Sequence, residues 1–407
     1  MGIYLNNAAT SWPKPRVVAE SMANFILKAG ANLARGSSSY RDIKTLDMVT
    51  NCRAIVASLF DGYCDNDPRY VTFTSNVTEA LNVVIKGFLR PGMTVLTSSM
   101  EHNAVMRPLR HLERDGINLV VVQCDEEGYM HTETFESELK AHKPDLVVLN
   151  HASNVCGTLQ DLNVLCRICR DNGIPIVVDA AQTAGHVPIS VSENDIAALC
   201  FTGHKGLLGP QGIGGVVWRP DFADLVMPLI EGGTGSFSHE EIQPKKLPDK
   251  FEAGTPNLPG IAGLQAALLW SNDEGRGKLA ERANSLGERL MRGLTCIDEV
   301  VLYGPMNMNG RLPVFAFNVR GMDNAKLALD LYERWGIETR PGLHCAPRAH
   351  MTLGTFPEGA LRVSVGPFNT KDDVDVLLDA LSTLVRESRG LLYLLWLRRR
   401  RLRRLMP

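Results

Sequence analysis

The sequence predicts an α/β chain built on a mostly parallel, doubly wound sheet, followed by a smaller α+β unit. Three observations predict it. From Tyr70 to about residue 220, short runs rich in Val, Ile and Leu alternate with stretches of helical spacing. Those runs lack strict polar–apolar alternation, as expected of strands covered by helices on both faces. The 407 residues, 44% apolar and 22% charged, are ordinary for soluble protein and suffice for a large core and two or three domains.

The expected strands are 70–75, 94–99, 119–125, 145–150, 175–179, 197–202 and 214–218. In such a sheet, ligands bind outside the carboxyl ends of the strands. The first exit runs Phe73-Thr-Ser-Asn76-Val77-Thr78-Glu79, with Leu81, Val84, Ile85 and Phe88 following at helical spacing. Asn76 with Glu79 three residues on is a helix-start signature. A helix opening at a strand end offers free N–H groups and a favourable dipole to a phosphate. Alone, the pattern points first to an ordinary capped helix; beside Lys205 the phosphate reading takes precedence.

A smaller unit is expected from about 256–259, with helices over 261–270 and 278–294, a strand over Val314–Val319 and a last helix over 372–389. Glu231 to Thr255 reads as an irregular but ordered loop, by its Gly-Gly-Thr-Gly-Ser and Gln-Pro-Lys-Lys-Leu-Pro segments. The expected division is an N-terminal segment over 1–14, a large domain over 15–255, a small domain over 256–390 and an apolar-basic tail over 391–407.

Net charge is −2, which carries no nucleic-acid signature. Six arginines fall within the last ten residues, so the rest carries −8. The start lacks a basic segment followed by an apolar one, and no apolar run approaches the ~18–20 residues that span a bilayer, so a cytoplasmic protein is expected. Leu391-Leu-Tyr-Leu-Leu-Trp-Leu, followed by arginines, suits contact with an anionic membrane or an acidic partner, or else a frayed extension. Nine cysteines, an odd number, argue for free thiols. Cys166 and Cys169 fall on a helical pattern with Leu162 and Leu165, which points to buried thiols; no second pair stands at zinc-site spacing, and no metal site is expected.

Two strand ends carry chemistry. Ala-Ala-Leu-Cys-Phe-Thr202-Gly-His204-Lys205 ends an apolar run in a lysine, and Ile-Val-Val-Asp179-Ala-Ala-Gln182 ends one in a carboxylate. An ammonium resists burial and shifts its pKa when desolvated. A lysine to bind an aldehyde and an acid to hold a pyridinium nitrogen are what a Schiff-base cofactor needs.

Together these motifs resemble the class V aminotransferase superfamily of fold-type I pyridoxal-phosphate (PLP) enzymes. The branch most resembled is the cysteine desulfurase and selenocysteine lyase group, in particular its group II. The resemblance runs from Tyr4-Leu-Asn-Asn-Ala-Ala-Thr10 to Leu361-Arg362-Val-Ser-Val. It implies that Lys205 holds PLP covalently, Asp179 pairs with the ring nitrogen, and Gln182 and Asn154 face the phenolic oxygen side. His102, in Ser-Met-Glu-His102-Asn-Ala, would stack on the ring and move protons. Val77, Thr78, Thr202 and His204 would hold the phosphate, joined by Thr255 of Phe-Glu-Ala-Gly-Thr255-Pro from a second subunit, which implies a homodimer. Arg362 would clamp the substrate α-carboxylate, with Asn154 also at the substrate.

By the same resemblance, Cys345 in Arg340-Pro-Gly-Leu-His-Cys345-Ala-Pro-Arg348 selects the reaction. Its thiolate would take sulfur from L-cysteine, or selenium from L-selenocysteine, leaving L-alanine and a persulfide for an acceptor protein or small thiol. His344 and Arg348 are the expected cations beside it. Leu343 departs from the group II pattern, where a second histidine is usual. The alternatives are another class V reaction (transamination, epimerisation or kynureninase-like cleavage) and a non-catalytic sulfur-trafficking protein.

Overall fold

The computed structural model describes residues 2–33, 39–236 and 238–403, and their side chains through residue 389. All seven expected strands form one sheet: β1 (Val71–Thr74), β2 (Thr94–Ser98), β3 (Asn118–Val122), β4 (Leu146–Asn150), β5 (Ile176–Asp179), β6 (Ala198–Thr202) and β7 (Gly214–Trp218). Their spatial order is β1-β7-β6-β5-β4-β2-β3, and only β7 runs antiparallel to its neighbours. The central strands are buried along their whole length, because helices cover both faces. This explains the unbroken apolar runs.

Register brings the loaded strand ends together. Asn150 pairs with Asp179, and Asp179 with Cys200, so β4, β5 and β6 finish side by side. Gly214 and Gly215 begin β7 where no side chain fits. A Cβ on Gly215 would stand 2.3 Å from the Thr72 carbonyl, and one on Gly214 2.9 Å from Asn76. Gly214 thereby lets the start of helix Val77–Phe88 settle against the sheet edge, while Gly215 lets the strands close up at Thr72 and Phe201.

A second, antiparallel sheet has the order Arg340–Gly342, Ala360–Ser364, Val314–Val319, Val300–Tyr303. Phe315, Phe317, Leu361 and Val363 face helices Arg276–Thr295, Asn324–Trp335 and Lys371–Arg403 in a separate core. Helix Leu258–Glu274 packs elsewhere: Ile261, Leu264 and Leu268 join the core of the large sheet. The C-terminal helix runs on to Arg403, while the side chains of the apolar-basic tail lie outside the described residues. Among the described residues, no helix is long and apolar enough to cross a membrane. Cys166 and Cys169 are buried on helix Leu162–Asp171, where desolvation raises both thiol pKa values.

The N-terminal segment joins the two sheets. Ile3–Tyr4 pairs with Ile337–Glu338, and the Ala8 N–H donates to Ser364 Oγ (2.8 Å). Further on, the Ser11 N–H and Lys14 Nζ both donate to the carbonyl of His204, at 3.0 and 2.6 Å. Residues 3–14 therefore strap the small sheet to the loop that carries Lys205.

Candidate active site

Lys205 lies just beyond β6 in a tight turn, half-buried. Burial pushes its pKa down to about 8, partly opposed by the charge of Asp179. A lysine so placed is neutral often enough to act as nucleophile and base. Asp179, buried at the end of β5, accepts the Ala181 N–H (2.9 Å). Desolvation raises its pKa, while that N–H and Lys205 lower it. Gln182 is anchored through its amide to the Ala8 carbonyl (3.1 Å).

His102 caps helix Asn103–Arg114: its Nδ1 accepts the Ala104 N–H at 3.0 Å. Burial, then the positive charges of Lys205 and Arg340, pull its pKa down to about 4. The ring is therefore neutral, and its one proton sits on Nε2. Behind it lies Glu101, with no exposed surface, accepting from Ser98 Oγ (2.6 Å) and the Asn150 N–H (2.9 Å). Burial lifts this carboxyl to about 8, so it is largely protonated at neutral pH.

Arg362, also buried, donates to the Asn154 carbonyl (2.8 Å) and to Asn6 Oδ1 (3.0 Å). Asn154 Nδ2 in turn donates to the His344 carbonyl (2.7 Å). One polar chain thus links the N-terminal segment, the large sheet, the small sheet and the Cys345 turn.

Cys345 is exposed at the head of that turn, and both it and His344 sit in the left-handed region, at φ +57° and +50°. Each such non-glycine residue costs about 1–2 kcal/mol. The turn is held by the Asn103 N–H, which donates to the Cys345 carbonyl (2.8 Å), and by a buried histidine pair. His344 Nε2 donates to the Arg340 carbonyl (2.9 Å), leaving Nδ1 to accept from His350 Nε2 (3.1 Å). His350 Nδ1 then accepts from Thr355 Oγ1 (2.7 Å).

These contacts correct one expectation. Burial drives His344 down to about 2, so it is a neutral, inward-facing ring and not a cation beside the thiol. Arg348 turns to a groove beside Arg110. The cation at Cys345 is Arg340, whose Nη2 donates to Sγ across 3.7 Å. Sequence reasoning also missed Asn6 and Glu101. The polar pair Asn6-Asn7 inside an otherwise apolar start was the one available signal for the former.

The remaining predicted residues form an anion cradle. The cap on helix Val77–Phe88 is reciprocal: Asn76 Oδ1 accepts the Glu79 N–H (3.0 Å) and Glu79 accepts the Ser75 N–H (2.6 Å). That leaves the amides of Val77 and Thr78 free at the helix mouth. Thr202 Oγ1, His204 Nδ1 and Asn154 Oδ1 are buried with no partner among the described residues. Buried polar atoms normally are paired. An acid facing a lysine, a helix mouth with Gly214 at its base and orphaned polar atoms fit PLP. Thr255 is exposed on the loop before helix Leu258–Glu274 and makes no hydrogen bond to these residues.

Fold and site together define a PLP-type enzyme of fold-type I. The chain belongs to the aminotransferase class-V family, which it matches over residues 3–377. It is 32% identical to a probable cysteine desulfurase of Pyrococcus abyssi over 396 residues, 95% of each chain. A cysteine desulfurase of Escherichia coli is also 32% identical, over 94% of this chain and 93% of that one. Among solved structures, the apo cysteine desulfurase of Thermococcus onnurineus NA1 superposes with a TM-score of 0.88 at 31% identity, over 95% of each chain.

Proposed function

We propose that this protein is a PLP-dependent cysteine desulfurase, converting L-cysteine to L-alanine and retaining the sulfur as a Cys345 persulfide. The observation that carries the reading is Cys345 itself: an exposed thiol in a braced turn, against Arg340. Lys205 and Asp179 would hold PLP by its aldehyde and ring nitrogen, with the phosphate at Val77, Thr78, Thr202 and His204. Bound there, PLP supplies an electron sink for the pair released at the substrate α-carbon.

The chain's own residues do the rest. Arg362 takes the substrate carboxylate in a bidentate fork, already oriented by Asn6 and the Asn154 carbonyl. Lys205 Nζ accepts the α-proton and returns one to the α-carbon after the sulfur has left. Neutral His102 presents its Nε2 proton. The Cys345 thiolate attacks the substrate sulfur: the S–S bond forms as the Cβ–S bond breaks, and the β-carbon gains a proton to become the methyl group of alanine. L-Selenocysteine would undergo the same displacement at selenium.

We place the protein in the cytoplasm, where its nine free thiols suit a reducing compartment. A homodimer is supported by the run 225–230, which leaves Leu225 63% and Ile230 55% exposed, and by Thr255, exposed beside it in the irregular loop region. The test is alanine, sulfide and selenide production from each amino acid, with and without reductant, in wild type and Cys345→Ala. Sulfide release lost in the variant, with cofactor absorbance retained, supports the desulfurase. Full turnover in the variant overturns it.

A further inference from the structure

A groove of about 370 Å³ opens beside the Cys345 turn, outside the site just described, and its walls carry Arg107, Arg110, His111, Arg114, Pro347 and Arg348. Arg107, Arg110 and Arg114 repeat at three- and four-residue intervals along helix Asn103–Arg114, which places them in one stripe about 10 Å long. Arg110 is paired with Glu113, and His111 faces Asp115. Arg107 and Arg114 form no ion pair among the described residues, and Arg348 forms none either, although the charge of Glu113 partly offsets that of Arg110 upon it. The guanidinium of Arg348 is pushed down by burial and by the like charge of Arg110.

The groove shares its walls with the nucleophile's turn. Arg348 lies three residues after Cys345, and Asn103, the first residue of the arginine helix, donates its N–H to the Cys345 carbonyl. The groove is therefore continuous with the turn that carries Cys345. The rest of the molecule would repel an acidic partner, since outside the tail arginines the chain carries −8. A small anionic thiol could engage one or two of these guanidiniums, but not Arg107, Arg114 and Arg348 together, spread along the stripe and the facing turn.

From this geometry we propose that the groove docks an acidic face of a thiol-bearing acceptor protein and guides its thiol to the Cys345 persulfide. The inference rests on the desulfurase reading. The acceptor thiolate attacks the outer sulfur; the new S–S bond forms as the persulfide bond breaks, and Cys345 leaves as thiolate. No net oxidation or reduction occurs.

The test uses three peptides, each with one cysteine behind a Gly-Gly spacer and a helical arm rich in Glu, Gln or Lys. At low salt, the persulfide-loaded enzyme should pass sulfur to the Glu peptide about tenfold or more faster than to the Gln peptide, and the gap should close near 1 M salt. Arg107→Glu with Arg114→Glu should move the preference to the Lys peptide, and Arg348→Glu alone should weaken it. Equal wild-type rates with the Glu and Gln peptides at low salt, or an unchanged acidic preference in both variants, would overturn the docking proposal. Alanine formation driven by dithiothreitol, run in parallel, reports the desulfurase reaction alone. Its absence in wild type would strike that reading and not the groove.

Discussion

Arg340 and Arg362 stand directly opposite one another across the antiparallel strands Arg340–Gly342 and Ala360–Ser364. One guanidinium reaches Cys345 Sγ, and the other is fixed on Asn6 and Asn154. Like charges facing across a strand pair are unfavourable. Burial and then Arg340 push the Arg362 pKa down. The pair therefore holds a field that a substrate carboxylate relieves, with the attacking thiol on one side and the carboxylate clamp on the other.

Arg340→Gln separates the two roles. Losing the cation at Sγ should lower kcat for alanine formation about tenfold, which corresponds to ~1.4 kcal/mol, with KM for L-cysteine changed less than about twofold. Arg340→Lys should recover most of the rate. A large rise in KM at constant kcat would instead place Arg340 in substrate binding.

Lys205 should show its depressed pKa in the apoprotein. Its neutral fraction rises as pH passes about 8, so the rate of PLP uptake should climb to a plateau just above that pH. Between about 8 and the ordinary lysine value near 10.4, the unfolded chain holds a proton that the folded chain lacks, so stability rises with pH in that window. Melting curves of wild-type apoprotein against Lys205→Met should diverge in that range. Parallel curves would count against a desolvated lysine.

Glu101 runs the other way. Its folded pKa, about 8, lies above the ordinary carboxyl value near 4.3, so the folded chain holds a proton that the unfolded one has lost. This group's contribution to stability is present at low pH and falls away as pH rises from about 4.3 through 8. Glu101→Gln should melt close to wild type at pH 5 and gain on it steadily toward pH 8. A constant offset would mean that the carboxyl is ionised in place.

The histidine pair predicts acid sensitivity near the nucleophile. His344 and His350 are held down to about 2 and about 4, so below the ordinary value near 6.5 the unfolded chain takes protons first and stability falls. Thr355→Val removes the donor to His350 Nδ1 and should cost about 1–3 kcal/mol. Sulfide release should fall in this variant while PLP binding, read by absorbance, stays intact. Loss of both together would mean that the pair supports the whole site.

The seven strands were legible because a sheet covered on both faces requires apolar runs, and Lys205 and Asp179 stood out as charges closing such runs. The turn around Cys345 was not legible in the same way. Two consecutive left-handed residues break any side-chain alternation there, so nothing in Leu-His-Cys-Ala indicates that His344 points inward while Cys345 points out. The bond from Asn6 to Arg362 spans 356 residues and depends on a strap whose path no local pattern encodes. Helix Leu258–Glu274 is apolar around most of its circumference, so its pattern favours neither unit, and only packing assigned it to the large sheet's core.

That strap also sets the order of events during synthesis. Asn6 and Ala8 are made early, yet their partners are Arg362 and Ser364, 356 residues later. The large sheet has all its strands once Trp218 has emerged from the ribosome, but its wall facing the substrate stays open for about 150 residues more of translation. Competence to bind substrate is thus one of the last properties the nascent protein acquires.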